Sequence, residues 1–324
     1  MMSGHYSFTS CFAPFIESMI TEKRNAGFQY EHAEWILHKF DEFCNQEQVE
    51  TPVITQELAG KWGTLCKTET KVTLAGRISV LRQLSLYMQA YGIKCYVPRN
   101  FTRKSSRIAY VLSIEEIQSL FLEIDSYQPA INAEVFHRLA LEYRILFRML
   151  FCCGLRVSEA RKLRLDMVDP ENGVLKIYQS KGSNDRLVYL PDDLRQLCCE
   201  YLKIMTVKYK IKSEWFFPAS DPAKVLQVAS VGKRFHRAWE QTPYAREGVL
   251  QPTVHSLRHT FVVLRMNEWM KSGVKLDNMM PYLSKYWSFQ SGRYFLLLSP
   301  GGRSLFHHQA KRSVCILRNT GGGR

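Results

Sequence analysis

The sequence contains no Cys-x-x-Cys pair, although nine cysteines are scattered over its 324 residues. An odd number of cysteines without close pairing predicts reduced thiols in a cytosol-like compartment. It disfavours a disulfide framework, and it also disfavours a zinc site, which usually depends on local ligand spacing. We therefore expect no metal and no cofactor, with most cysteines serving as small core residues.

Long apolar runs are also missing from the sequence. No segment reaches the roughly 18 to 20 apolar residues that a membrane-spanning helix needs. The first ten residues are polar, which differs from the pattern of a signal peptide. We expect a cytoplasmic protein without a membrane partner. Internal repeats and low-complexity segments are absent from the body of the chain, which disfavours a repeat architecture.

Acidic residues are too few to balance the basic ones. The chain has 30 Asp and Glu against 44 Lys and Arg, which gives a formal net charge of +14. Such a chain attracts nucleic acid, anionic membranes or acidic proteins. A hydrophobic content of 46% supports a folded core, and the length suits one large domain or two ordinary ones.

The chain is organised as two helical regions joined by a basic segment. Residues 10–97 carry apolar side chains at helical spacing, among them Ile36, Leu37 and Phe40, so they predict a small helical domain. Residues 98–110 are polar and basic, and we expect them to form an interdomain linker that lies along a polyanion. The positive charges of this linker are Arg99, Arg103, Lys104 and Arg107.

A second domain is predicted over residues 111–286. Its first helix should be capped by Ser113, with Glu116 completing a capping box. The β-rich runs Val174–Tyr178 and Arg186–Leu190 flank a turn and predict a β-hairpin. Further helices are expected near Ser158, Asp192, Val231 and His255. The expected fold class is therefore mainly α, with one small antiparallel sheet.

Arg156 is the first residue that suggests chemistry. It follows Gly154, which should end one helix, and it precedes Ser158, which can begin the next. A guanidinium held at such a junction has its planar fork aimed in advance. An ordinary ion pair with Glu159 is the plainer alternative, and the sequence leaves both open.

His255 and Arg258 are spaced three residues apart and so share one helical face. Together they could grip two oxygens of one phosphate, the arginine bidentately and the histidine by a single bond. A solvated polar face is the alternative, and His259 is better suited to local packing. Lys181 lies at the predicted hairpin tip, where it could protonate a departing oxygen or simply be solvated.

Taken in order, Arg156, Lys181, His255 and Arg258 resemble the catalytic residues of the tyrosine recombinase, or phage integrase, family. The N-terminal helical region and linker resemble that family's core-binding domain, which has a SAM-like fold. The resemblance implies a metal-free recombinase that cleaves and rejoins DNA strands through a 3′-phosphotyrosine. It also implies double-stranded DNA and a homotetramer on paired sites as partners, with Arg99, Arg103, Lys104 and Arg107 contacting DNA.

The resemblance also implies a role for each residue. Arg156 and Arg258 would stabilise charge on the non-bridging oxygens, and His255 would serve as an acid, a base or a phosphate donor. Lys181 would protonate the leaving 5′-oxygen. A helical DNA-binding regulator without phosphate chemistry would need none of these four residues in this order, and it is therefore disfavoured.

The last segment, residues 287–324, departs from the family pattern. The family continues with Gly-His and then its nucleophilic tyrosine, whereas this chain continues with Trp287-Ser288-Phe289. The segment has six Lys or Arg and no Asp or Glu, so its composition differs sharply from that of the body. If these three residues are encoded TGG TCA TTC, the frame one base later encodes Gly-His, and it can continue as GHSSPEDTFYYFHLVED.

We therefore hypothesise a frameshift near Tyr286 that removes the family's C-terminal His and Tyr. Tyr294 is the candidate substitute nucleophile within the altered segment. Two functions stay open on this basis. One is an integrase whose chemistry is impaired, and the other is a catalytically inactive remnant that still binds DNA.

Overall fold

The chain folds into two compact units, Met1–Arg107 and Ile108–Arg324. A computed structural model describes residues 6–66, 69–99, 109–178, 185–246, 250–275 and 278–279. Each unit buries its own cluster of apolar side chains. Since burial of apolar surface is the main favourable term in folding, each unit has its own source of stability.

The first unit is helical throughout its described part, as the apolar spacing predicts. Its helices are α1 (Ala13–Asn25), α2 (Glu31–Gln46), α3 (Gln56–Trp62) and α4 (Lys71–Ala90). Helices α1 and α2 both pack against α4. The ring of Phe40 lies 5.4 Å from that of Phe12 and 5.3 Å from that of Trp62, so aromatic contacts tie α2 to α3 in the core.

The second unit is built around one central helix. Its helices are α5 (Ile114–Ser126), α6 (Glu134–Cys152), α7 (Val157–Arg161), α8 (Asp192–Val207), α9 (Val228–Glu240) and α10 (Val254–Lys271), with a 3₁₀ turn at Leu165–Met167. Helix α6 packs against both α8 and α10, and it is buried without interruption from Ile145 to Cys152. A helix segment that is buried on all sides belongs in the middle of a domain, and the one charged side chain in this segment, Arg148, is paired with Asp125.

Local capping chemistry sets the start of the second unit, as expected. The hydroxyl of Ser113 accepts from the Glu116 N–H at 3.2 Å, and the Glu116 carboxylate accepts from the Ser113 N–H at 2.7 Å. This is the predicted capping box. One residue earlier, the N–H of Leu112 donates to the buried hydroxyl of Thr260 at 2.9 Å, which ties this segment to α10.

The predicted hairpin is present within a small sheet. The antiparallel sheet has the order β1 (Val168–Asp169), β2 (Val174–Ile177) and β3 (Arg186–Tyr189). Ile177 pairs with Arg186, the first residue of β3. The third strand, β1, was not predicted, because two residues are too few to show alternation.

Among the described residues, no helix is both long and apolar enough to cross a bilayer.

Candidate active site

Arg156 lies at the sharp connection between α6 and α7. Gly154 adopts a φ of +60°, a left-handed conformation that glycine reaches without steric cost and that ends α6. Helix α7 begins at Val157, one residue earlier than predicted, so Arg156 precedes its first turn. The N–H of Arg156 donates to Glu159 Oε2 at 2.8 Å, and its guanidinium donates to Oε1 at 2.7 Å. The ion pair with Glu159 that the sequence left open is therefore formed.

His255 and Arg258 come from the first two turns of α10, and Arg258 faces this connection. The side chain of Arg258 is only 4% exposed, and its Nη1 donates to the carbonyl of Gly154. The same Nη1 lies 3.9 Å from Glu159 Oε2. His255 remains exposed, and its ring meets that of His259 edge to face at 4.5 Å between centroids. His259 therefore packs locally, as expected.

A third arginine, Arg186, completes the cluster from the sheet. Its guanidinium contacts Glu159 bidentately, with Nη1 3.2 Å from Oε1 and Nη2 2.8 Å from Oε2. Both side chains are almost fully buried, at 7% and 5% exposure. Three guanidinium groups lie around one carboxylate in a largely dry setting, and such a concentration of positive charge favours binding of an anion.

The electrostatics of the cluster show in two pKa values. Burial by itself would raise the pKa of Glu159, but hydrogen bonds from Arg186 and from the Arg156 backbone outweigh burial and lower it. Glu159 is therefore an anion at neutral pH. The pKa of His255 is lowered, first by partial burial and then by the positive charges of Arg258 and Arg156. The imidazole is therefore neutral at pH 7 and can accept a proton.

A mostly apolar cavity of about 320 Å³ adjoins the cluster. Val157 and His255 form one side of it, and Val228, Phe235 and Pro252 line the rest. His255 thus lines the cavity and also lies within the influence of the two arginines. Within the described ranges, no group of three or more His, Cys, Asp or Glu side chains is arranged to hold a metal ion.

Comparison with known proteins decides the family. The sequence model of the phage integrase family matches residues 112–277, which is more than half of the chain and contains the whole cluster. The chain belongs to the phage integrase, or tyrosine recombinase, family. Family members are site-specific recombinases, a class of enzymes that transfer DNA strands.

Relatives of this phage integrase family member include both sequences and solved structures. The candidate integrase/recombinase y4rB of Sinorhizobium fredii is 27% identical over 289 residues, which cover 86% of this chain and 88% of y4rB. The XerH site-specific recombinase, solved in a post-cleavage complex with palindromic difH substrate, is 20% identical with a TM-score of 0.56. That match covers 92% of this chain and 81% of XerH.

A lambda integrase tetramer bound to a Holliday junction is also similar to this integrase. It is 15% identical with a TM-score of 0.54, and the match covers 82% of this chain and 75% of that one. At these identities the structural matches show the fold alone. The mainly helical fold with its small sheet is therefore that of the recombinase family.

The predicted site residues of this chain divide into three groups. Arg156 and Arg258 lie at Glu159, and His255 lies close enough to both arginines to feel their charge. Lys181 and Tyr294 lie outside the described residues, as do Arg103, Lys104 and Arg107 of the basic linker. Arg99 belongs to the first unit and is exposed.

Arg186 was not predicted as a site residue from the sequence. For Glu159, the sequence predicted a possible ion pair with Arg156 but not its contacts with three arginines. A weak signal existed for both residues. Glu159 follows Arg156 at helical spacing, and Arg186 opens the strand that leaves the hairpin. A strand that is otherwise apolar gives no reason to expect its first arginine beside a residue 27 positions earlier.

Proposed function

We propose that this chain carries the phosphate site of a site-specific DNA recombinase, in which Arg156, His255 and Arg258 hold one scissile phosphate, and that loss of the family's C-terminal His and Tyr impairs its strand cleavage. The proposal rests on one observation: Arg156 and Arg258, which are far apart in the sequence, both lie at the carboxylate of Glu159, and their positive charges act on His255. Two guanidinium cations and a nearby neutral imidazole suit a phosphodiester, which presents two non-bridging oxygens and a reacting phosphorus.

The proposed reaction is a transesterification with a tyrosine as nucleophile. The tyrosine oxygen forms a bond to phosphorus while the bond from phosphorus to the 5′-oxygen breaks, which leaves a 3′-phosphotyrosine and a free 5′-hydroxyl. The 5′-hydroxyl of a second strand then attacks the phosphotyrosine and releases the tyrosine. The number of phosphodiester bonds is conserved, so no high-energy cofactor is needed.

Each side chain has a role in this scheme. Arg156 and Arg258 stabilise the charge that develops on the non-bridging oxygens, and they are fixed before the substrate arrives. The pKa of His255 is lowered in the free protein, so its imidazole is neutral there. With phosphate bound, the imidazolium donates a hydrogen bond to the phosphate, and above the pKa of the complex the neutral ring accepts the proton of the tyrosine hydroxyl. Lys181 supplies the proton that the leaving 5′-oxygen requires.

We propose that the partner is double-stranded DNA and that the protein binds it in the cytoplasm. Both predicted domains, residues 10–97 and 111–286, would contact the DNA, and residues 98–110 would be the linker between them. Arg99, Arg103, Lys104 and Arg107 would neutralise backbone phosphates. The XerH and lambda integrase relatives were solved with DNA or a DNA junction. The lambda integrase tetramer supports the proposal that this chain also assembles as a homotetramer on paired sites.

The altered tail favours a second candidate function. Without the family's Gly-His and tyrosine after Tyr286, the arginine cluster could bind a phosphate but not cleave beside it. The chain as given would then be a DNA-binding remnant of an integrase. A frameshift near Tyr286 explains both the missing residues and the absence of acidic residues from residue 287 onward.

Covalent trapping tests these proposals. The protein would first select a duplex that it binds from a random pool. That duplex would then be prepared with a nick beside the cleavage point, so that cleavage releases a short fragment. Because the fragment diffuses away, the covalent protein–DNA adduct persists. The chain as given, its Tyr294→Phe variant and a version with the restored reading frame would be compared. We expect adducts from the restored version alone.

Each other outcome has a definite meaning. An adduct from the chain as given that disappears in Tyr294→Phe would make Tyr294 the nucleophile. A restored version that binds the duplex but traps nothing would refute the recombinase and leave the DNA-binding remnant. Sequencing the encoding DNA gives an independent check, because codons that cannot encode Gly-His in the next frame would refute the frameshift.

A further inference from the structure

We propose that Arg186 is a positioning residue: by holding the carboxylate of Glu159, it fixes the acceptor that orients Arg156 and keeps Arg258 directed at the scissile phosphate. The inference rests on the proposed function, since it concerns how the phosphate site is kept ready. Arg186 itself does not touch the substrate in this scheme. Its side chain is 7% exposed, and its two terminal nitrogens face Glu159.

The contacts of Glu159 show what Arg186 contributes. Each carboxylate oxygen accepts one hydrogen bond from Arg186, at 3.2 Å for Oε1 and 2.8 Å for Oε2. The same two oxygens accept from the Arg156 guanidinium at 2.7 Å and from the Arg156 N–H at 2.8 Å. A bidentate pair fixes the plane of a carboxylate. Arg186 thereby fixes the acceptor that orients both the backbone and the side chain of Arg156.

Charge competition provides the second part of the argument. A buried carboxylate must be neutralised, because an unpaired charge in a dry environment is costly. Arg186 supplies that neutralisation. Arg258, whose Nη1 is 3.9 Å from the carboxylate, therefore remains only loosely engaged with it. If Arg186 were absent, the Glu159 carboxylate would lose its bidentate partner, and Arg258 would be drawn from 3.9 Å toward it and away from a ligand.

The location of Arg186 suits this role. It is the first residue of β3 and pairs with Ile177 of β2, so the sheet fixes its backbone. The next side chain along the strand that faces the core is Val188, at 2% exposure. The core therefore holds strand β3 at Val188, and Glu159 holds it at Arg186. The guanidinium of Arg186 thus reaches the α6–α7 connection from a strand whose position is fixed.

The test measures how strongly one phosphate is recognised, using the full-length chain. The selected duplex is prepared with and without a neutral methylphosphonate at the scissile position, and the ratio of the two dissociation constants is determined. For the parent protein we expect a ratio of at least about tenfold, since charge-assisted hydrogen bonds to that phosphate are lost. Arg186→Gln should reduce the ratio to within about threefold of unity.

The double variant Arg186→Gln with Glu159→Gln distinguishes positioning from simple packing. Removal of the carboxylate charge abolishes the competition for Arg258, so the double variant should regain part of the ratio that the single variant loses. Arg186→Lys, which keeps the charge but not the fork, should be intermediate. Arg164→Gln is the matched control, because Arg164 pairs with Asp166 and Glu214 at the surface. It should keep the parental ratio.

The outcomes separate this inference from the function on which it rests. A parental ratio retained in Arg186→Gln overturns the positioning role, and so does a reduced ratio that the double variant fails to regain. If Arg186→Gln does not fold, as judged by thermal unfolding, the Arg186→Lys ratio decides, and a parental value there overturns the inference. A parent protein that is insensitive to methylphosphonate at every position overturns the proposed phosphate site itself, and the inference with it.

Discussion

The guanidinium of Arg258 donates a hydrogen bond to the main-chain carbonyl of Gly154, which is 104 residues earlier in the chain. Gly154 has a φ of +60° and lies two residues before Arg156. The contact therefore attaches one arginine of the cluster to the turn that presents the other. The spacing between the two guanidinium groups depends on the conformation of this glycine.

Replacement of Gly154 should weaken the fold and the site together. Gly154→Ala forces a β-carbon into the left-handed region, which should lower the free energy of unfolding by roughly 1–2 kcal/mol. Gly76→Ala is the control, since a β-carbon there meets no atom within 4 Å in the interior of α4. It should raise stability by about 0.5–1 kcal/mol. Urea unfolding measures both changes, and an equal effect of the two substitutions would contradict the account.

Much of the fold could be predicted because its signals are local. The capping box at Ser113, the strands on either side of the hairpin and the helix end at Gly154 each depend on residues within a few positions of one another. Such signals are visible in a sequence, since backbone geometry and capping chemistry act over short separations. The small strand β1 was not predicted, because a strand of two residues is too short to show an alternation of apolar and polar side chains.

The site was predictable only in part, because its decisive contacts span long separations. Arg156 and Glu159 are close in sequence, and their pair could be proposed. Arg186 reaches Glu159 from 27 residues away and Arg258 reaches Gly154 from 104, and only the tertiary fold brings these groups together. The roles of Lys181 and Tyr294 and the contacts of the basic linker stay predictions.

DNA binding should depend strongly on salt. Lys and Arg that neutralise phosphates release counterions, so six to ten phosphate contacts would reduce affinity by roughly 10³ to 10⁵ between 50 and 200 mM salt. The tail supplies six of the fourteen net charges, which leaves eight in the body. A chain ending at Tyr286 should therefore keep a salt-dependent affinity. Binding measured by fluorescence anisotropy that ignored ionic strength would count against both candidate functions.

The lowered pKa of His255 predicts how binding responds to pH. The free protein holds a neutral imidazole, whereas a bound phosphate favours the imidazolium, so binding should take up a proton. Affinity should then rise as the pH falls from the pKa of the complex toward the lower pKa of the free protein. His255→Asn should remove this rise, and His137→Asn, at a half-buried histidine of α6 that contacts Asn132, should keep it. Dissociation constants at pH values on both sides of 6.5 would test this, and an unchanged pH profile in His255→Asn would contradict it.

Folding stability should also depend on pH through Glu142. Burial raises the pKa of this carboxyl, and the ion pair with Arg138 opposes the rise only in part. The folded state therefore binds a proton more tightly than the unfolded state, and stability should fall as the pH rises above the ordinary value of 4.5. Glu142→Gln should remove this decline, and Glu240→Gln, in an exposed pair with His236, should not. Unfolding free energies across the pH range provide the measurement, and a decline that persists in Glu142→Gln would show that another group causes it.

Phosphate scanning is the most direct test of the central claim, which is that Arg156, His255 and Arg258 converge on one phosphorus. A methylphosphonate would be moved step by step along the selected duplex, and the affinities of Arg156→Gln, His255→Asn and Arg258→Lys would be compared with the parent. Arg265→Lys is the control, since Arg265 pairs with Glu268 on the exposed side of the same helix. We predict one DNA position at which a methylphosphonate weakens binding of the parent but not of any of the three variants. Arg265→Lys should respond to the methylphosphonate as the parent does at every position. Loss at three different positions would contradict the account.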